Sequence, residues 1–122
     1  MDLGWCDVCL KVKSASVSKQ FYTDLGFWRV EGSDEEGWSV MTKGALRLGL
    51  FEPQFMSSQF SLNFRGGDIA DICLQIRSKG HAFAREHKLI NGGGSAAMVD
   101  PDGHSIFCDA FPGEAMKVDP IE

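Results

Sequence analysis

Two stretches of this chain follow the same plan of strand, helix and glycine. One runs from Val8 to Gly26 and the other from Leu62 to Gly80, so the glycines that close the two helices fall 54 residues apart. A repeat of that length in 122 residues leaves room for two small units and little else. Each unit has one helix, which can cover only one face of its sheet. The opposite face must be buried elsewhere or line a cavity.

The first unit opens with a strand over residues 6–12, in which Val8, Leu10 and Val12 share one face and Asp7, Cys9 and Lys11 the other. Ser14 or Ser16 is placed to cap the following helix. Val17, Phe21 and Leu25 recur at helical spacing along it, and Gly26 supplies the left-handed position that ends it. Phe27–Glu31, Trp38–Met41 and Ala45–Phe51 read as strands, separated by the acidic turn Asp34-Glu35-Glu36 and by Lys43-Gly44. Residues 52–58 are the linker. The second unit begins with a strand at Gln59–Arg65. Asp68 caps a helix carrying Ile69, Ile72, Cys73 and Ile76, which ends at Gly80. Strands are expected at Phe83–Leu89, Ser95–Val99 and Ser105–Phe111. Asn91–Gly94 forms a mobile flap, Asp100-Pro101-Asp102-Gly103 a tight turn, and 112–122 a loose tail. The result is an α+β chain, βαβββ twice, as a single domain with module one at about 5–51 and module two at about 59–111.

Composition excludes several classes of function. A formal net charge of −5 argues against nucleic-acid and anionic-membrane partners. No apolar run approaches the roughly 20 residues that cross a bilayer. The start Met1-Asp2-Leu3-Gly4-Trp5 has neither a basic nor an apolar leader region, so no signal peptide is expected. The four cysteines, Cys6, Cys9, Cys73 and Cys108, are then free thiols in a reducing cytoplasm. Cys6 and Cys9 form a C-x-x-C, but on an extended strand they point to opposite faces, which excludes a shared redox or zinc site.

Four segments carry a family likeness: Val8-Cys9-Leu10-Lys11-Val12, Phe21-Tyr22-Thr23-Asp24-Leu25-Gly26-Phe27, Leu48-Gly49-Leu50-Phe51-Glu52 and Asp100-Pro101-Asp102-Gly103-His104. In this order the chain resembles the vicinal oxygen chelate superfamily, which contains glyoxalase I, extradiol dioxygenases and the fosfomycin and bleomycin resistance proteins. The resemblance implies paired βαβββ modules whose curled mixed sheets form a shared cleft, and a homodimer. It also implies four metal-ligand positions, which in this chain are Asp7, Gly49, Ser61 and Phe107. Only Asp7 carries a hard-cation ligand, and one carboxylate does not hold a divalent ion. No metal or cofactor is therefore expected, and no residue is assigned a catalytic role.

Strand alternation directs Trp5, Asp7, Phe51, Ser61, Asn63, Phe107 and Asp109 towards the cleft. Aromatic rings with carboxylates suit a planar or cationic guest. Arg47 and Arg65 lie on the same faces and could neutralise those carboxylates or select an anion instead. His81, His87 and His104, the three histidines of the chain, show no ligand spacing. The expected function is metal-independent binding of an aromatic or cationic small molecule, after the manner of the bleomycin resistance proteins, with antibiotic or drug resistance as its use. The alternative is a glyoxalase-like lyase or isomerase, or a dioxygenase, with a non-standard metal site.

Overall fold

The computed structural model describes residues 1–88 and 93–121, and for His87 and Lys88 the backbone alone. The element order is β1 (Gly4–Lys11), α1 (Ala15–Asp24), β2 (Trp28–Ser33), β3 (Trp38–Lys43), β4 (Leu46–Phe51), β5 (Phe60–Gly66), α2 (Ile69–Ser78), β6 (Arg85–Lys88), β7 (Gly94–Val99) and β8 (Ser105–Ala110). The flap expected at Asn91–Gly94 falls outside the described residues at Asn91 and Gly92, as does Leu89 of the expected sixth strand.

The chain divides into two compact units. The first holds Asp7–Phe60 with Lys117–Glu122, and the second holds Met1–Cys6 with Ser61–Met116. β1 therefore gives its first residues to one unit and its last to the other. In the first unit the strands run β2-β3-β4-β1. β1 and β4 are parallel, and β2–β3 and β3–β4 antiparallel. The second unit repeats this as β5-β8-β7-β6, with β5 and β8 parallel and the other two ladders antiparallel. Each half is a mixed sheet with one helix, the α+β plan anticipated from the repeat.

Both helices start and stop where the sequence places their caps. Ser14 sits in extended backbone, and its hydroxyl accepts from the amide of Val17 at 3.3 Å. Asp68 does the same for Asp71 at 3.1 Å. Gly26 and Gly80 follow the helices with φ of +102° and +91°, a conformation that side chains rarely tolerate.

The second unit packs α2 through Ile69, Ile72 and Cys73 onto Ala96, Cys108 and Ala110, with Leu3, Phe64, Ile76 and Phe83 against them. Phe83 is thus a core residue ahead of β6 and not the start of that strand. The first unit buries Val30, Val40, Met41, Leu48 and Leu50. Its helix departs from the simple amphipathic reading. Val17, Phe21 and Leu25 are 69%, 59% and 53% exposed, while Ala15 is fully buried. The helix is turned so that its small residue meets the sheet and its regular apolar stripe faces out. Tyr22 is half-buried beside Phe27, with ring centroids 5.4 Å apart.

The residues from 112 onward do not hang loose. Glu114 Oε2 accepts from Arg65 at 2.9 Å. Further on, the carbonyls of Lys117 and Val118 accept from Arg47 and Trp28, and the amide of Ile121 donates to the carbonyl of Arg29. Among the described residues no helix is long and apolar enough to cross a membrane.

Candidate functional site

The seven residues directed inward by strand alternation are divided between the units. Asp7 and Phe51 belong to the first, and Trp5, Ser61, Asn63, Phe107 and Asp109 to the second.

In the first unit the parallel register sets Cys9 opposite Gly49 and Lys11 opposite Phe51. Asp7 and Arg47, two residues back on the same strands, therefore share a face. Asp7 is 1% exposed, and Arg47 Nε donates to its Oδ1 at 2.6 Å. The other guanidinium nitrogens reach Glu31 Oε2 at 3.5 Å and the carbonyl of Lys117 at 2.7 Å. One buried cation thus sits between two carboxylates. Beside it, Trp38 stacks on Phe51 with centroids 5.7 Å apart and planes 2° from parallel, and Phe55 meets Phe51 edge-on at 5.9 Å. Gly49 lies beneath this cluster. A Cβ there would stand 2.6 Å from the Phe51 ring and 2.8 Å from Cys9 Sγ, so those two side chains fill the place of any residue-49 ligand.

In the second unit the register pairs Ser61 with Ser105, Asn63 with Phe107 and Arg65 with Asp109. Ser61 is buried, its hydroxyl 3.3 Å from that of Ser105. Arg65 repeats the role of Arg47. It donates to Glu114, faces Asp109 across the ladder, and lies over the Trp5 ring at 5.4 Å. The cation expected on an aromatic wall is, at Trp5, the protein's own guanidinium. Among the described residues Trp5 Nε1 and Asn63 Oδ1 are buried without a hydrogen-bond partner. Such atoms are few in folded proteins, and each calls for a partner such as water or a bound group.

These residues do not fit a metal. Arg47 holds the Asp7 carboxylate, Gly49 and Phe107 bring no donor, and the Ser61 hydroxyl is turned to Ser105. No group of three or more His, Cys, Asp or Glu gathers elsewhere among the described residues to hold one.

Nor do the thiols form a nucleophilic site. None of the four cysteines forms a disulfide. Burial, reinforced by Cys73, Asp109 and Cys6, pushes the Cys108 thiol up to about 11. His104 Nδ1 lies 2.8 Å from Asp100 Oδ2 on an exposed turn. The carboxylate of Asp100 also accepts the amides of Asp102 and His104, and the His104 amide leads in holding it below the ordinary value of 3.8. These contacts shape the Asp-Pro-Asp-Gly turn and present no reacting group. His81 is exposed, and the side chain of His87 is outside the described residues.

Alternation along β4 was enough to place Arg47 beside Asp7. It gave no sign of Glu31, Glu114 or the Lys117 carbonyl, whose approach depends on a bulge in β2 between Arg29 and Glu31 and on the course of the tail.

No protein-family model matches the chain, and no curated protein matches it in sequence. Solved structures do match. A Legionella pneumophila protein described as an NAD-dependent benzaldehyde dehydrogenase superposes with a TM-score of 0.71 at 23% identity, over 87% of this chain and 98% of that one. A glyoxalase/bleomycin resistance protein/dioxygenase superfamily member from Vibrio splendidus 12B01 gives 0.63 at 18%, over 87% and 97%. Methylmalonyl-CoA epimerase from Mycobacterium tuberculosis gives 0.57 at 18%, over 88% and 85%. Identities this low speak for architecture alone, and the architecture is that of the vicinal oxygen chelate proteins: this chain has the glyoxalase/bleomycin resistance fold.

Proposed function

We propose that this protein binds a small aromatic or cationic molecule without a metal, sequestering it in the manner of a bleomycin resistance protein. The observation that carries the reading is the occupied corner of the first unit, where Arg47 holds Asp7 while Cys9 and Phe51 fill the space above Gly49. A side chain there cannot become a ligand without displacing that packing. Support for the guest's chemistry comes from charge and rings. Each unit sets one arginine among two carboxylates, Asp7 and Glu31 in the first and Glu114 and Asp109 in the second. Carboxylates so placed favour a cation. Trp38, Phe51 and Trp5 offer flat apolar surface, and burying a large apolar group contributes roughly 1.5–3 kcal/mol.

Trp5, Asp7, Phe51, Ser61, Asn63, Phe107 and Asp109 are the residues assigned to the guest. Asp7 acts through its ion pair with Arg47 and the others by contact. The protein works in the cytoplasm as a homodimer, for which the exposed stripe Val17, Phe21 and Leu25 offers apolar surface. Protection against a toxic compound is the use this chemistry suits.

Two measurements test the reading together. Elemental analysis of the purified protein is expected to find zinc, nickel, manganese and iron far below one per chain. A melting-temperature screen across cationic aromatic compounds is expected to find compounds that raise Tm. Near-stoichiometric metal, or no hit in the screen, would overturn it.

A further inference from the structure

The segment 117–121 is held by hydrogen bonds and not by burial of its side chains. Val118 and Ile121 are 51% and 48% exposed, and Lys117, Asp119 and Pro120 are exposed as well. No apolar side chain of the segment is buried. Among the described residues it is fixed by three hydrogen bonds instead. Arg47 Nη1 donates to the Lys117 carbonyl at 2.7 Å, Trp28 Nε1 to the Val118 carbonyl at 3.0 Å, and the Ile121 amide to the Arg29 carbonyl at 2.9 Å. Protein–protein hydrogen bonds exchange for water bonds at little net gain. A segment held mainly by such bonds, with its apolar side chains half exposed, opens locally well before the fold does. The first of the three closes over a buried charged cluster of its unit, in which Asp7, Arg47 and Glu31 are 1%, 7% and 10% exposed.

From this we infer that residues 117–121 are a releasable strap, which shields the Asp7–Arg47–Glu31 cluster when docked and admits a cationic guest to it when lifted. The inference rests on the ligand-binding reading above and adds its control. Lifting the strap frees a guanidinium donor and opens the two carboxylates to solvent, where they can meet an approaching cation. The strap stays tethered when lifted, because Glu114, three residues before Lys117, is pinned by Arg65 at 2.9 Å.

Amide exchange and binding of benzyltrimethylammonium test this in the full chain, in a chain ending after Met116, and in the full-length Trp28→Phe variant. The last keeps the ring and removes one of the three bonds. The Ile121 amide is expected to exchange long before those of β3 and β4. The shortened chain is expected to bind the probe about fivefold more tightly or better, the factor by which a strap docked for about 80% of the time lowers apparent affinity. Trp28→Phe is expected to fall between the two, and it keeps the test decisive if the shortened chain fails to fold. An Ile121 amide as protected as the core, or equal affinities in strapped and unstrapped proteins, would overturn the gating while leaving the binding reading intact. No binding by any of the three would sink both.

Discussion

Arg47 answers three acceptors at once, and its worth is clearest from what its removal would strand. Asp7 is 1% exposed and takes its 2.6 Å hydrogen bond from Arg47 Nε. Leaving a buried charge without its partner typically costs about 3–5 kcal/mol. Arg47→Met is therefore expected to lower urea-unfolding stability by that amount, and Asp7→Asn in the same chain to recover much of the loss. A double-mutant cycle reads the coupling, and simple additivity would show that the pair is not the unit of stability. At Gly49 the neighbours leave no space for even a methyl group, since a Cβ would meet the Phe51 ring at 2.6 Å and Cys9 Sγ at 2.8 Å. Gly49→Ala is expected to cost about 1–3 kcal/mol through overpacking, again by urea titration. At Cys108 the effect is one of pH. Its folded pKa of about 11 stands above the ordinary 9.0. The stabilisation is thus complete below about pH 9 and is lost as pH rises through about 11, because the unfolded thiol ionises first. Alkaline denaturation of Cys108→Ala, set against the parent chain, is expected to lack that part of the decline.

The two helices turn the same face to their sheets at matching positions of the repeat but carry different residues on the outer one. Val17, Phe21 and Leu25 of the first half correspond, 54 residues on, to Asp71, Gln75 and Lys79 of the second. All three apolar members are exposed, so losing one should leave the protomer's stability almost unchanged. Phe21→Gln is expected to shift unfolding at low protein concentration by less than about 0.5 kcal/mol, and to move any self-association towards monomer in light scattering. Ile72→Ala, at 1% exposure in the other helix, is expected to cost about 2–5 kcal/mol. The contrast also shows which features were legible. Caps, helix-ending glycines and the Asp-Pro-Asp-Gly turn are written into a few neighbouring residues, and each stands where local chemistry puts it. The direction in which α1 turns its stripe is not local. Periodicity declares that Val17, Phe21 and Leu25 share a face, but buried Ala15 decides which face meets the sheet.

Across the whole molecule, the repeat carried the architecture because each half contains its own strand pairings. The charged cluster was only half readable. Asp7 and Arg47 face each other across one ladder, whereas Lys117 reaches Arg47 from 70 residues away, and no pattern in the sequence encodes that meeting. At the positions that the family likeness points to, Gly49 and Phe107 carry no side-chain donor, which any reading of the residues shows. That long return has a consequence for how the protein comes into being. A ribosome making this chain finishes β4 and its arginine long before it reaches Lys117. During that interval the nascent first half keeps its ionic centre wet, and it can dry only once Lys117 has been made.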